Sequence, residues 1–337
     1  MKKEVLDAVF ENFSKKNVLV IGDVMLDCYT LGTVNRISPE APVPVVDITS
    51  RYDCLGGATN VALNIKSLGA TPIMCSVIGS DKQSEDFIKL MESETLSTQG
   101  ILLSDKRILT VKHRVIGNKQ QLLRIDEEIT TPLSVQDEMR FLERIKQIIA
   151  DHRIDVIIFE DYDKGVITQN IISEVVTISK SMDIPICVDP KKVNFSHYNH
   201  TDIFKPNLKE LKEGCQLSDN EINETVLKEI IKKFMLEKQH KRLMLTLSDK
   251  GILTCERRED DFVFEQIPAF VRNIADVSGA GDTVISVAAL CFAIGMNFNE
   301  IAAFANLAGG LVCEEIGVVA INKERYINEI MNVLSEK

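Results

Sequence analysis

Short apolar runs rich in β-branched residues alternate with stretches of helical period along almost the whole chain, and this alternation leaves few architectures open. Asn17 to Ile21 reads as a buried strand, Ala58 to Leu68 as a helix stopped by Gly69, and Ile73 to Ile78 as the next strand, with Ser80 placed to cap the helix that follows. Ser134 opens a helix that sets Phe141, Leu142, Ile145, Ile148 and Ile149 on one side and leads into the strand Ile154 to Phe159. A helix over Gln169 to Lys180 and a strand over Ile184 to Val188 repeat the unit, and Arg242 to Leu247, Gly251 to Glu256 and Phe262 to Ile267 predict a three-strand meander before the last helices. Strands apolar on both faces and separated by helices predict an α/β fold in three layers, a mainly parallel central sheet with helices on each side.

Two segments break the rhythm. Residues 30–49 carry Pro39, Pro42 and Pro44 among alternating valines, and residues 107–126 hold two half-polar strands, Ile108 to Ile116 and Gln121 to Ile125, around a Gly117-Asn118 hairpin signal. Half-polar strands set into an otherwise buried pattern predict a small β-sheet flap, or lid, over a site at the strand ends. No repeat, low-complexity tract or linker divides residues 1–337, so one domain is expected.

Composition narrows the partners. Fifty acidic against 39 basic residues give a formal charge of -11, which repels phosphate backbones and anionic lipid heads and argues against nucleic-acid or membrane binding. The longest apolar stretch, Val284 to Ile294, holds eleven residues, where a spanning helix needs about 20. The eight cysteines stand at least 21 positions apart, so no Cys-x-x-Cys unit serves zinc or redox chemistry. Scattered thiols and an amphipathic start (Leu6, Val9, Phe10, Phe13) in place of a secretory leader point to a cytoplasmic protein.

The segment Asp276-Val-Ser-Gly-Ala-Gly-Asp282-Thr283 runs straight into the apolar stretch from Val284. Its glycines permit a tight turn that aims N–H groups at one point, and the helix behind adds a positive N-terminal end, so the turn can hold an anion. Asp282 on that turn would repel a resting phosphate, but it suits a base that takes a proton from a hydroxyl attacking phosphorus. On these residues alone, an ordinary first-turn carboxylate remains the alternative. Asp23, in Gly22-Asp-Val-Met-Leu-Asp27, ends the first strand where doubly wound sheets place ligands, with Asp27 close behind. Gly56-Gly57-Ala-Thr-Asn60 opens a helix with room for close approach and an amide that both donates and accepts. Carboxylates and an amide there can bind sugar hydroxyls; a plain turn with a tight helix–sheet contact is the other reading.

Asp276 to Thr283 resembles the C-terminal signature of the ribokinase-like, phosphofructokinase-B-type carbohydrate kinases. The resemblance implies ATP as phosphoryl donor, Asp282 as general base, and the backbone of Gly279, Ala280 and Gly281 as anion hole. Asn207-Leu208-Lys209-Glu210 resembles the family's Asn-x-x-Glu motif, which implies Mg²⁺ held by Glu210 through water. By the same resemblance Thr246, Ser248 and Gly251 line the nucleotide, Asn306 lies near adenine, and K⁺ is a candidate near Asp276. There is no Gly-x-x-x-x-Gly-Lys-[Ser/Thr] loop in the chain.

Further segments (Arg36 to Val46, Gly56 to Ala62, Gln120 to Arg124, Asp161-Tyr-Asp-Lys-Gly165 and Val188-Asp-Pro-Lys191) resemble one branch of that family, the heptose 7-phosphate kinases that form the kinase half of bifunctional ADP-heptose synthesis proteins. Thr59 and Ser278 depart from the branch pattern, where Ala and Thr are usual. The branch implies transfer of the γ-phosphoryl group to the anomeric hydroxyl of D-glycero-β-D-manno-heptose 7-phosphate, with Asp23, Asp27, Gly56, Gly57, Asn60 and Asp161 around the sugar. A phosphosugar also needs cations. Of Lys112, Arg114, Arg124, Lys164 and Lys191, the expectation settles on Arg114, Arg124 and Lys191. The chain carries no His-x-Gly-His nucleotidyltransferase motif, so the adenylyl transfer that follows is expected of a separate adenylyltransferase. Open edges on the half-polar lid strands, together with the resemblance, imply a homodimer clasped through the lids. Two rivals stay open: another ribokinase-family sugar kinase, and a sugar or nucleotide sensor that lost catalysis.

Overall fold

Residues 3–217, 223–259, 261–270 and 272–334 are described by a computed structural model. After helix α1 (Lys3–Phe13), strand β1 (Asn17–Gly22) passes through Asp23 into two long strands, β2 (Val24–Ile37) and β3 (Pro44–Gly57). Helix α2 (Ala58–Ser67), β4 (Thr71–Ile78), α3 (Lys82–Ser93) and β5 (Gly100–Leu103) follow, then the hairpin of β6 (Thr110–Gly117) and β7 (Gln120–Glu127). The alternation continues with α4 (Val135–Asp151), β8 (Val156–Glu160), α5 (Gln169–Met182), β9 (Ile186–Asp189) and the short β10 (Ile203–Phe204). Next come α6 (Leu208–Gly214), α7 (Glu224–Lys238) and the meander of β11 (Arg242–Thr246), β12 (Ile252–Arg258) and β13 (Asp261–Ile267). Helices α8 (Ala280–Ala293), α9 (Phe298–Val312) and α10 (Lys323–Leu334) end the described chain.

The main sheet has nine strands in the order β13-β12-β11-β10-β9-β8-β1-β4-β5, parallel from β11 to β5 and antiparallel across β11, β12 and β13. Strand pleat explains the two helical layers: in β1, Val18 and Val20 face the core shared with α1, α2, α8 and α9, while Leu19 and Ile21 face the core shared with α4, α5 and α7. All four are fully buried, each contributing about 1.5–3 kcal/mol of transfer free energy. The expected core strands agree with the observed ones to within two residues. Ser134 caps α4 as its sequence predicts, accepting from the Asp137 N–H. At α3 the cap is Asp81, not Ser80; the Asp81 carboxylate accepts from the Ser84 N–H at 2.8 Å, and the Ser80 hydroxyl instead donates to Asp105.

The lid is a four-stranded sheet, β3-β2-β6-β7. Its first two strands are longer than residues 30–49, because β2 continues straight from β1 and β3 runs straight into α2. The hairpin turns on Asn118 and Lys119, both with positive φ (51° and 67°), one residue later than the Gly117-Asn118 pair. Two left-handed central residues match the right-handed twist of the flanking strands. Among the described residues no helix is long and apolar enough to cross a membrane.

Candidate active site

Apolar strands β1, β8 and β9 each end in a polar residue, and β10 runs into one: Asp23, Glu160, Asp189 and Lys205 therefore meet at the carboxyl edge of the parallel sheet, facing the start of α8. Beside them lies a cavity of about 840 Å³. Its walls carry Asn207, Leu208, Lys209, Glu210, Thr246, Ser248, Gly251 and Asn306 with Gly279, Ala280, Gly281 and Asp282, so the segments expected around a nucleotide and its phosphates come together.

Gly279 starts α8 with φ 76°, a left-handed conformation that a Cβ would strain, and that Cβ would also stand 2.8 Å from the Asn60 amide nitrogen. The Ala280 N–H is turned onto the Val277 carbonyl, whereas the Gly281 and Asp282 N–H groups have no acceptor among the described residues, as helix starts leave them. Asp282 is buried in the first turn. One carboxylate oxygen accepts from the Tyr162 hydroxyl at 2.6 Å and the other from the Asn60 amide at 2.8 Å. Burial pushes the Asp282 carboxyl up from its ordinary pKa, and the Tyr162 and Asn60 hydrogen bonds hold that rise back. The result is an oriented carboxylate with raised basicity on the rim of an amide-lined turn, which is what proton abstraction beside a phosphoryl group requires.

A buried charge group backs this rim. Oxygens of Glu160, Asp189 and Asp282 lie within 4.8 Å of one another, and Lys205 Nζ pairs with Asp189 at 2.7 Å. Neither Glu160 oxygen has a hydrogen-bond partner among the described residues. Burial, then the charges of Asp189 and Asp282, drive its carboxyl well above the usual carboxylate range.

Several expected sugar residues sit differently. Both oxygens of Asp23 are taken by backbone, from the Tyr162 and Lys164 N–H groups and from Val166 N–H, so this carboxylate holds the loop after β8 instead of facing a ligand. Asp161 points the other way, to the Asn194 amide, the Tyr198 hydroxyl and the Asp163 N–H. Arg124 is half exposed on β7 and forks the Asp126 carboxylate with two bonds of 2.9 Å. Lys191 pairs with Glu210 on the wall of the large cavity, with its Nζ 5.3 Å from the centroid of the Tyr162 ring. Two acids, Asp189 and Glu210, outweigh burial and keep its ammonium charged. Asn60 donates to the Asp282 carboxylate, as described. Arg114 is on the inner lid face, as expected, but is ion-paired with Asp27, and a Cβ on Gly56 would collide with that same carboxylate.

Tyr162, Glu160, Asp189 and Lys205 escaped the sequence reading. Part of the signal was there: Glu160 and Asp189 close apolar strands and Lys205 follows one, and Tyr162 and Asp189 lie inside segments already singled out for Asp161 and Lys191, but what these groups meet depends on other strands.

For Mg²⁺, the donor set on the cavity wall fits a hard cation. Glu210 and Asp189 are oxygen donors, and Asp189 Oδ1 is a buried oxygen without a hydrogen-bond partner among the described residues. Glu210 also accepts from the Asn207 N–H in a reciprocal capping box, which fixes its direction.

Solved structures share this architecture. Phosphofructokinase-2 from Escherichia coli in complex with potassium superposes with a TM-score of 0.75 at 17% identity, covering 95% of this chain and 99% of that one. Arabidopsis thaliana ribokinase complexed with ribose and ATP gives 0.69 at 15% identity, covering 94% and 98%. The fold is therefore ribokinase-like, with a large, mostly parallel sheet and a smaller one. Among curated relatives, the bifunctional protein HldE of Pelobacter propionicus is 35% identical over 332 residues, 98% of this chain and 66% of its own length. The bifunctional protein HldE of Helicobacter pylori strain J99 is 34% identical over 304 residues, 90% and 64% respectively. The chain spans just under two thirds of the length of these two relatives. The pfkB family carbohydrate kinase model matches residues 15–325, a range that takes in the lid, the Asn207 cap and the α8 turn. The chain belongs to the pfkB family and is a carbohydrate kinase.

Proposed function

We propose that the chain transfers the γ-phosphoryl group of ATP to the anomeric hydroxyl of D-glycero-β-D-manno-heptose 7-phosphate, giving the 1,7-bisphosphate. The observation that carries the chemistry is the Asp282 carboxylate, buried at the start of α8 between two fixed donors and beside a cavity large enough for a nucleotide. The similarity to HldE proteins over nearly the whole chain supports the choice of sugar.

In this reading ATP occupies the large cavity, and the sugar lies between Asp282 and the inner face of the lid. The sugar oxygen bonds to phosphorus, the bond from phosphorus to the ADP oxygen breaks, and the hydroxyl proton passes to Asp282. Tyr162 and Asn60 keep that carboxylate aimed, while the Gly281 and Asp282 N–H groups face the charge on the moving phosphoryl group. Mg²⁺ would be held by Glu210 through water, with Asp189 nearby, and would neutralise phosphate charge. A K⁺ near Asp276 is part of the proposal with narrower support: both oxygens of Asp276 already accept from Ser278 and from the Gly317 N–H. Asp27 is the carboxylate placed to accept from a sugar hydroxyl, beside Arg114. An adenylyltransferase acting downstream is part of the proposal, in keeping with the bifunctional naming of the HldE relatives.

The test is ADP release with ATP and a panel of sugars: heptose 7-phosphate, sedoheptulose 7-phosphate, fructose 6-phosphate, and unphosphorylated heptose, fructose and ribose. Heptose 7-phosphate is expected to give the highest kcat/KM. An equal or better rate on an unphosphorylated hexose would overturn the substrate assignment, and no sugar-dependent ADP release would favour a sensor.

A further inference from the structure

On the inner lid face, strand register sets side chains in rows. Asp27, Lys112 and Asp126 form one row across β2, β6 and β7; Tyr29, Arg114 and Arg124 form the next. Lys112 therefore stands between two carboxylates, the arrangement in which an ammonium normally pairs. It pairs with neither. Arg114 takes Asp27, and Arg124 holds Asp126 through both oxygens. Of the other ammonium groups nearby, Lys164 is bound to Glu128 at 2.8 Å, and Lys191, whose Nζ lies 5.3 Å from the centroid of the Tyr162 ring, is bound to Glu210. Among the described residues no carboxylate comes within ion-pair distance of Lys112, whose Nζ lies over the Tyr162 ring, 5.6 Å from the centroid.

This is a half-buried cation held without a counter-ion next to two other cations, inside a protein with net charge -11. Burial pushes the Lys112 ammonium below its ordinary pKa, and although Asp27 and Asp126 pull it up, Lys164 and Arg114 push it further down. Such a site lowers its free energy when an anion arrives. Its position limits which anion. Tyr162 has its hydroxyl on Asp282 and its ring against Lys112, so an anion at Lys112 lies about one aromatic ring away from the base. The γ-phosphate of a nucleotide must sit against the α8 turn on the other side of Asp282.

We propose that Lys112 is the subsite for the second phosphate of the sugar substrate, the monoester remote from the hydroxyl that is phosphorylated. This rests on the kinase reading above and deepens it by naming the residue that distinguishes a phosphosugar from a free sugar. It also replaces Arg124 and Lys191 in that role, since both spend their charge on Asp126 and Glu210. The charges of Lys164 and Arg114 are felt at Lys112, so they add to the attraction for a dianion there without having to leave their carboxylates.

The test compares wild type, Lys112→Met and Lys112→Arg for kcat/KM on heptose 7-phosphate, on the unphosphorylated heptose and on a sugar acid, with binding of heptose 7-phosphate followed calorimetrically in the absence of ATP. The ratio of phosphosugar to free sugar is expected to fall about 10- to 100-fold in Lys112→Met and to recover to within a few-fold in Lys112→Arg. Calorimetric affinity is expected to fall by the same factor. An unchanged ratio in Lys112→Met overturns the assignment, as does a wild-type preference for the sugar acid. The wild-type rates test the substrate reading separately: if heptose 7-phosphate fails and another sugar phosphate succeeds, the same ratio is measured on that sugar. If wild type uses no sugar phosphate, both readings fall.

Discussion

At the scale of single residues, the proposed reaction turns on one carboxylate and the groups that aim it. Asp282→Asn keeps the shape of the site and removes the proton acceptor, so turnover is expected to fall about 10²–10⁴-fold while calorimetric binding of ATP and sugar stays within a few-fold. ADP release under saturating substrates checks the first part. Tyr162 acts through Asp282. Burial raises the Asp282 pKa and the Tyr162 hydroxyl lowers it, and a base works only when ionised, so activity declines as pH falls through that pKa. Tyr162→Phe removes a lowering influence; the acid limb of the kcat/KM profile should move to higher pH, with turnover at neutral pH down about 10-fold. An unmoved acid limb would make Tyr162 a packing residue only. Asp282 and the α8 turn were legible in the sequence because two glycines and a carboxylate before an apolar helix form a local signal. Tyr162, Glu160 and Lys205 were not, since each gains meaning from a neighbour on another strand.

At the scale of elements, the turn before α8 depends on backbone that few residues tolerate. Gly279→Ala would place a Cβ at φ 76° and 2.8 Å from the Asn60 amide that holds the base. It is expected to lower stability by about 1–3 kcal/mol in urea unfolding and to depress kcat by disturbing the Asn60–Asp282 bond. Element boundaries in the main sheet were readable from periodicity, because strands buried on both faces leave continuous apolar runs. The lid was readable only in part. Its half-polar alternation announced strands, and Gly56-Gly57 marked the start of α2, yet the join from β1 into β2 has no sequence mark, because the chain changes sheets there without a turn.

At the scale of the whole molecule, the two sheets meet at the site: the main sheet supplies Glu160 and Asp189, α8 supplies Asp282, and the lid supplies Asp27, Lys112 and Arg114. The outer lid face leaves Leu123 and Ile125 about half exposed on edge strand β7, on the opposite side from Arg124. If two lids clasp, that apolar face is the natural contact, and Leu123→Asp with Ile125→Lys should convert a dimer into a monomer by light scattering at micromolar concentration. A monomeric wild type would end the dimer proposal. By itself, the sequence determined the layered α/β fold, the existence of a lid and the turn that carries Asp282, since periodicity and a local turn motif depend on near neighbours. Only the tertiary structure decided which charges are free. Asp23, Asp161, Arg124 and Lys191 all looked available along the chain, and each is engaged by a partner brought in through strand order and register; Lys112 is left without one for the same reason, because both acids in its row are claimed by arginines in the next.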